Sequence, residues 1–506
     1  MMRYFNPPRR LAGATLLTLL GSLAGCSLAP PYTPPHMALP DSYKGTGPFT
    51  LAHPEDQLTQ SDWWKLFGDD ELDRLETRLN AANPDLQAAE ETYTQARDIV
   101  GEARSQLFPQ LSAQAFASDN RESAHRLFRS TSGTGTNEEA SIGYGPALSW
   151  EPDFWGEIRN RTNYAKANAQ ATAALVASAR LSLEIELAND YMALRGLDSE
   201  HAVYTTTLSY YGDALKITKL RYSGKIAAGL DVERAENQFA TAQAADTDVQ
   251  AQRAVLEHAI AVLTGENPST FNVPPEDLAK LTVPVIPVGV PSALLQRRPD
   301  IAQSEREMAA QNAAIGVARA AFYPNIVLNG DAGFQNNSFG GLTSLPYSLW
   351  SIGATATLPL FEGGLRRAEE QQSKSAFAQA ADNYRATVLE AFREVEDQLV
   401  LTNGLVTENA QDQDALKAAL KVQDLSLRLY TNGLDNYLNV TVAQIAALSA
   451  ELASIQVQMR QLQAAVGLIS AVGGGWSTAD LPTSKQTIPF NPISLHHSPG
   501  DVSEPN

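Results

Sequence analysis

The chain carries few residues able to do covalent chemistry, and the most distinctive of them is a single thiol. Cys26 is the only cysteine in 506 residues, which excludes an intrachain disulfide and leaves either a free sulfur or a modified one. The motifs that assemble a reaction centre are missing. There is no His-Glu-x-x-His for zinc, no phosphate loop closing on Gly-Lys-Ser or Gly-Lys-Thr, and no Gly-x-Ser-x-Gly elbow for a nucleophilic serine. The seven histidines are dispersed. His496 and His497 adjoin each other, but in a tail without apolar period, where exposure to solvent is the simpler reading than metal binding. Asn336-Asn337-Ser338 has the form of a glycosylation triplet and carries no functional weight. The sequence therefore predicts no catalytic residue, no metal site and no cofactor.

What precedes the thiol gives it meaning. Arg3, Arg9 and Arg10 lead into an apolar run from Leu11 to Leu23, then Leu23-Ala24-Gly25-Cys26. The run is too short for a membrane-spanning helix and ends on small residues, the pattern of a removable export signal over residues 1–25. A free thiol left at a cut signal is one outcome. The tetrapeptide also resembles a bacterial lipobox, which implies that Cys26 becomes the lipidated first residue; Ser27 in place of an acid then implies sorting to the outer membrane. Loss of the signal leaves 35 basic against 57 acidic residues, a charge of −22, which argues against nucleic acid as a partner. Residues 26–60, rich in proline, read as an extended lipidated tether, and 473–506 as a disordered C-terminal tail.

The body between them is duplicated. Pro84, Asp85, Glu90, Gly101, Ala103, Arg104 and Pro109 recur 215 residues later as Pro299, Asp300, Glu305, Gly316, Ala318, Arg319 and Pro324. Pro152, Phe154, Gly156 and Arg159 match Pro359, Phe361, Gly363 and Arg366; Tyr222, Leu230, Val232 and Ala235 match Tyr430, Leu438, Val440 and Ala443. Three blocks in one order imply two copies of one structural unit. The first spans 61–265 and the second 299–472, with a linker at 266–298.

Each copy holds a stretch with no proline and little glycine, about 154–222 and 364–430, followed by alanine-rich stretches at about 231–264 and 439–471. Helices of that length reach roughly 100 Å and need coiled-coil partners. Phe377, Ala381, Tyr384, Val388, Phe392, Val395 and Leu399 supply a seam at intervals of three and four. Shorter helices are predicted at about 84–107 and 299–322, and one amphipathic entry helix from Asp62 to Ala82.

Between short and long helix the period changes to two. In 325–338 and 347–360, Ile326, Leu328, Ala332 and Phe334, then Trp350, Ile352, Ala354 and Ala356, alternate with Asn329, Asp331, Gln335, Ser351, Thr355 and Thr357. The matching pair is 110–122 and 139–151. These are strands with one apolar face, each longer than the roughly 9 to 11 residues a membrane strand needs. A half-buried sheet in a soluble sandwich has the same periodicity. Four strands cannot close a barrel, and open edges are not tolerated in lipid, so a membrane location requires several chains to complete the barrel together.

The segments Asp62-Trp63-Trp64, Trp150-Glu151-Pro152-Asp153-Phe154, Arg298-Pro299-Asp300-Ile301, Phe322-Tyr323-Pro324, Phe361-Glu362-Gly363-Gly364, Gly433-Leu434-Asp435-Asn436-Tyr437-Leu438 and Gly473-Gly474-Gly475-Trp476 resemble the outer membrane factor (TolC-like) family. The closest resemblance is to its lipoprotein branch, which serves tripartite RND-type efflux pumps. The resemblance implies a mixed α and β membrane protein. A homotrimer would form a 12-stranded transmembrane β-barrel, four strands per protomer, continued by a long periplasmic α-helical coiled-coil barrel. It implies a passive exit duct in the outer membrane, anchored in its lipid, working with a periplasmic adaptor protein and an inner membrane pump. The exit duct of a type I protein secretion system is the alternative of like fold, and a periplasmic lipoprotein enzyme or scaffold the alternative of another class.

The resemblance also assigns a site. The turns Arg221–Val232 and Leu429–Val440 would form the periplasmic tip that narrows the pore and meets the adaptor, with Tyr222, Asp231, Tyr430, Gly433, Asp435 and Asn439 as gate or contact residues. Lys225 stands where relatives place glycine. Asn439 and Val442 stand where they often carry carboxylates, leaving Asp435 as the nearest substitute. Asp231 suits a helix N-cap as well as a gating role.

Overall fold

The computed structural model describes residues 27–35, 37, 40, 42–44, 62–121, 123, 138–286, 294–340 and 343–489. Cys26 and the export signal lie outside the described residues. A short 3₁₀ turn, Trp63–Phe67, opens the body, and α1 (Asp70–Ala82) and α2 (Pro84–Ser105) follow. β1 (Gln110–Arg121) and β2 (Glu138–Trp150) lead into α3 (Glu157–Ser223) and α4 (Gly229–Leu263). A linker carries α5 (Leu294–Arg297). The second copy comprises α6 (Pro299–Ala320), β3 (Asn325–Asn336), β4 (Ser348–Thr357), α7 (Leu365–Thr431) and α8 (Tyr437–Val472). The repeat is legible in lengths alone: α2 and α6 have 22 residues each, α3 and α7 have 67, and α4 and α8 have 35 and 36.

α3 packs against both short helices, α2 and α6, and against α4 and α8, whereas α7 packs against α6 and against α8, the helix that follows it. The seam on α7 is where it packs: Tyr384, Val388, Val395 and Leu399 are buried, and Phe377, Ala381 and Phe392 pack against buried clusters. By length and composition α8 could cross a bilayer, with an 18-residue stretch of mean hydropathy 1.4. Here it lies along α7, burying Val440, Ala447, Val457 and Leu462.

The entry segment is not one helix. Gly68 takes a left-handed conformation at φ 70°, and Asp69 accepts a bond from the Leu72 amide, so α1 begins with its own N-cap. Trp63, Trp64 and Phe67 then enter the largest core cluster, among Leu72, Leu75, Leu187, Tyr191 and Val466. The linker is fastened to this core by a buried guanidinium. Arg195 donates to Asp198 at 3.0 Å, to the Pro274 carbonyl at 2.6 Å and to the Tyr191 hydroxyl at 2.9 Å.

The four strands form one antiparallel sheet in the order β1-β2-β3-β4, so β2 and β3 join the two copies. Register places Leu111 opposite Leu148 and Ala115 opposite Tyr144; Tyr144 opposite Phe334 and Trp150 opposite Leu328; Ala332 opposite Trp350 and Leu328 opposite Ala354. One face is thus apolar across all four strands. The other carries Ser112, Gln114, Ser141, Asn329, Asp331, Gln335, Ser351 and Thr355, and Gln335 donates to the Ser141 hydroxyl at 2.7 Å across it. Every residue of β1 and β4 is exposed, so neither face is covered as a soluble sandwich would cover it. β4 stops at Thr357, short of the expected 360, because Pro359 has no N–H to continue the ladder.

Two terminal expectations need correction. The tether is docked, not free, over its described residues. Ser27 donates to Asn160 at 2.9 Å, Arg319 to the Leu28 carbonyl at 3.2 Å and Asn312 to the Pro30 carbonyl at 2.8 Å. The Tyr32 hydroxyl reaches Glu305, and Tyr32 and Met37 pack on the cluster of Ile301, Met308 and Tyr384. The tail is ordered through 489: Ser477 forms a capping box with Asp480, Gln170 donates to the Pro482 carbonyl at 2.8 Å, and Ile488 packs against Val100 and Ala165. Contacts of single residues, polar and apolar, hold both segments and leave no apolar period in the sequence. Residues 490–506 lie outside the described residues.

Candidate functional site

The two turns at the far ends of α3 and α7 are built alike, each ending its helix with the same pair of bonds. Ile226 N–H donates to the Arg221 carbonyl at 2.8 Å and Lys225 N–H to the Tyr222 carbonyl at 2.9 Å. In the second turn Leu434 donates to Leu429 at 2.9 Å and Gly433 to Tyr430 at 3.0 Å. This closure requires one left-handed residue. Gly433 supplies it freely at φ 77°, whereas in the first turn Lys225 is held at φ 58°. A side chain in that region costs about 1–2 kcal/mol, so the first tip is intrinsically the more strained.

The structure separates the six expected tip residues into different roles. Tyr222 is exposed, with its ring against Gly229. Asp231 is not the N-cap, which is Ala228 without a side-chain bond. It lies in the first turn of α4, where an acid faces the positive helix end, 3.8 Å from Arg234. The helix starts two residues earlier than the Leu-Asp-Val pattern suggests, and that moves Asp231 inside it. In the second turn Asn436 is the N-cap, accepting from the Asn439 amide at 3.2 Å. Asp435 accepts from the Asn436 amide at 2.8 Å and from the Asn439 side chain at 2.7 Å. Asp435 and Asn439 therefore brace their own turn at its rim, Asp435 half-buried and Asn439 exposed.

Tyr430 is buried, only 3% exposed, in a cluster with Ala214, Ala235, Tyr437 and Val440. Its ring meets Tyr437 edge-on at 5.2 Å. Burial pushes the Tyr437 hydroxyl up to about 12, so it stays a neutral donor at physiological pH. The Tyr430 hydroxyl has no hydrogen-bond partner among the described residues. The contact that ties the two tips together comes from Arg221, a residue that the sequence reading left out of the site. Its guanidinium lies 4.7 Å from the Tyr430 ring centroid and donates to the Tyr430 and Thr431 carbonyls at 3.0 and 3.3 Å. This combines a cation–π contact with charge-assisted bonds. Nothing in spacing announces it, because both acceptors are backbone. Behind the tips, Tyr204, Tyr211, Leu230, Thr441, Ile445 and Leu448 line a groove of about 600 Å³ between the first helix pair and α8.

At the opposite end, about 100 Å away along α3, lies the junction with the sheet. Trp155 stacks on Tyr323 at 4.7 Å and donates to the Pro324 carbonyl at 2.8 Å. Asp153 accepts from the Ile158 and Arg159 amides at 3.1 and 2.9 Å, sealing the first turn of α3, whose N-cap Gly156 has no side chain to do so. Among the described residues no group of three or more histidines, cysteines or carboxylates is arranged for a metal ion. The geometry is that of two long helix pairs ending in compact turns at one end and an uncovered amphipathic sheet at the other.

Comparison with known proteins agrees with this arrangement. The family described as outer membrane efflux protein matches residues 77–266 and 290–474. The chain is similar to the pyoverdine export outer membrane protein OpmQ of Pseudomonas aeruginosa, at 30% identity over 90% of this chain and 95% of that protein. It is similar to the outer membrane protein OprJ of the same organism, at 30% identity over 92% and 96%. Among solved structures, the outer-membrane channel OprN superposes with a TM-score of 0.83 and 26% identity, covering 89% of this chain and all of that one. The open state of the Neisseria gonorrhoeae MtrE channel shares the fold, with a TM-score of 0.78 at 24% identity over 89% and 98%.

Proposed function

The chain belongs to the outer membrane efflux protein family, and from that membership we infer that it is an outer membrane efflux channel, a passive duct from periplasm to exterior. The observation that carries this reading is the sheet. Four strands with an apolar face, a polar face and two unpaired edges, uncovered among the described residues, are unstable in water and unclosed in lipid. Three copies joined edge to edge give twelve strands, a closed barrel with its apolar face toward lipid and its polar face lining water. The long helix pairs then continue the duct into the periplasm. At its tips the duct meets an adaptor protein coupled to an inner membrane pump of the RND type, and the groove behind the tips is the surface offered to it. Cys26, lipidated, anchors each protomer. No chemical step is assigned to any residue: solute passes through unchanged.

The test is direct. Outer membrane fractions should contain a heat-modifiable trimer, and deleting the gene should raise retention of the solutes that its partner pump expels. A monomer confined to the soluble periplasm would defeat the reading. Cargo limited to a secreted polypeptide, with solute retention unchanged, would assign the duct to type I secretion.

A further inference from the structure

The polar face of the sheet is interrupted by one aromatic ring seated in a built recess. Phe116, in the middle of β1, lies on the face shared by Gln114, Ser141 and Gln335, and its register partner is Gly143. A Cβ on Gly143 would stand 2.6 and 2.7 Å from two atoms of the Phe116 ring, so the ring occupies the space a side chain would need. Gly145 and Gly333 are closed to side chains by backbone on the facing strand, at 1.9 and 2.3 Å. The Phe116 ring lies over Gly143 and remains 46% exposed. Four residues along β3 from Gln335, which is level with Phe116 by pairing through Gly143, stands Asp331. At about 3.3 Å per residue that is roughly 13 Å away. Asp331 is the charged group among the described side chains of this face, and no hydrogen bond or ion pair is found for it among the described residues.

We propose that Phe116, seated on Gly143, and Asp331 together form a selectivity station on the barrel wall that favours planar aromatic cations among the solutes passing through. The proposal rests on the duct reading and deepens it. Threefold symmetry repeats each group at one height, giving a ring of exposed aromatic faces and, below it, a ring of carboxylates. A cation is attracted by both the ring quadrupole and the carboxylate. A planar aromatic cation can also stack on the ring, whereas an aliphatic cation of the same charge gains only the electrostatic part. The same aromatic-over-glycine pairing also stabilises sheets, so the experiment must separate wall stability from solute contact.

Purified trimers in planar bilayers provide it, with benzyltrimethylammonium and tetramethylammonium as probes. Phe116→Ala should weaken block by the aromatic cation about two- to fivefold, as expected for a stacking cation contact at an exposed site. Block by tetramethylammonium should change less, and trimer yield should be unchanged. Asp331→Asn should weaken block by both cations alike. Gly143→Ala should force the ring into the lumen and lower unitary conductance, and adding Phe116→Ala should restore it. Equal block of wild type and Phe116→Ala by the aromatic cation, or a Phe116→Ala effect confined to trimer heat stability, would overturn the proposal while leaving the duct intact. Trimers that conduct no ions even when Arg221→Ala has removed the contact between the tips would instead bring down the duct reading itself.

Discussion

Arg221 and Tyr430 show how little of a contact's energy resides where a residue's chemistry is most conspicuous. The Tyr430 hydroxyl is buried without a partner, and a buried polar atom left unpaired contributes nothing and costs desolvation. Tyr430→Phe is therefore expected to leave resting conductance unchanged and to preserve or slightly raise stability. Arg221→Ala removes the cation–π contact and two charge-assisted bonds, and should open the resting pore. Single-channel recordings of both variants check this, and a larger effect from Tyr430→Phe would relocate the latch. A second residue-scale prediction concerns Glu76, fully buried on α1 with neither carboxylate oxygen hydrogen-bonded among the described residues. Burial first, and then the Glu184 carboxylate, raise its pKa well above the ordinary value. Glu184 is itself raised by burial, while bonds from Asn80 and Trp63 oppose the shift. The folded chain thus keeps a proton that the unfolded chain releases, and stability falls as pH rises from the unfolded carboxylate pKa toward the raised folded one. Glu76→Gln should flatten that slope. Thermal midpoints at pH 5 and pH 8 should converge in the variant, and an unchanged difference would show that another group governs it.

At the scale of elements, the strands depend on which face meets lipid. Ile352 and Thr355 lie three residues apart on β4 and so point to opposite faces. Ile352→Arg should cost about 2–4 kcal/mol per site near the bilayer midplane, three times per assembly, and trimer recovered from membranes should fall sharply. Thr355→Arg on the lumenal side should spare the trimer and change ion selectivity. Equal recovery of the two would invert the assigned faces. The helices are secured differently, by their neighbours. A 67-residue helix of weak amphipathicity is stabilised chiefly by tertiary packing, and α3 packs on α2, α6, α4 and α8 while α7 packs on α6 and α8.

For the whole molecule, the docked N-terminal strap sets where a lipid on Cys26 would lie. Residues 27–32 run along α3 and α6 beside the sheet junction, with Ser27 on Asn160 and Tyr32 on Glu305, so an acyl group on Cys26 would be delivered at the level where the helices meet the membrane. Cys26→Ser should abolish fatty-acid labelling and slow removal of the signal. Assembled trimers should persist, because a single acyl chain gives only marginal binding and the barrel offers far more apolar surface. Labelling that survives in the variant would refute the anchor, and loss of trimer would show that the lipid acts in assembly.

How much of this was written in the sequence follows from what kind of signal each feature leaves. Duplication, the helix lengths, the coiled-coil seam on α7 and the two faces of the strands are periodic, and period follows from local geometry: 3.6 residues per helical turn, two per strand. The order of the strands, with β2 against β3, and the uncovered state of both sheet faces belong to the chain's path in space. Only the tertiary structure decided that Asp231 is not a cap, that Lys225 accepts a left-handed backbone, that the strap and residues 473–489 are docked, that Phe116 fills the recess over Gly143, and that Arg221 joins the tips. Some of these turn on a single local dihedral angle or helix start, and the others on partners up to hundreds of positions away, and neither leaves a period in a sequence.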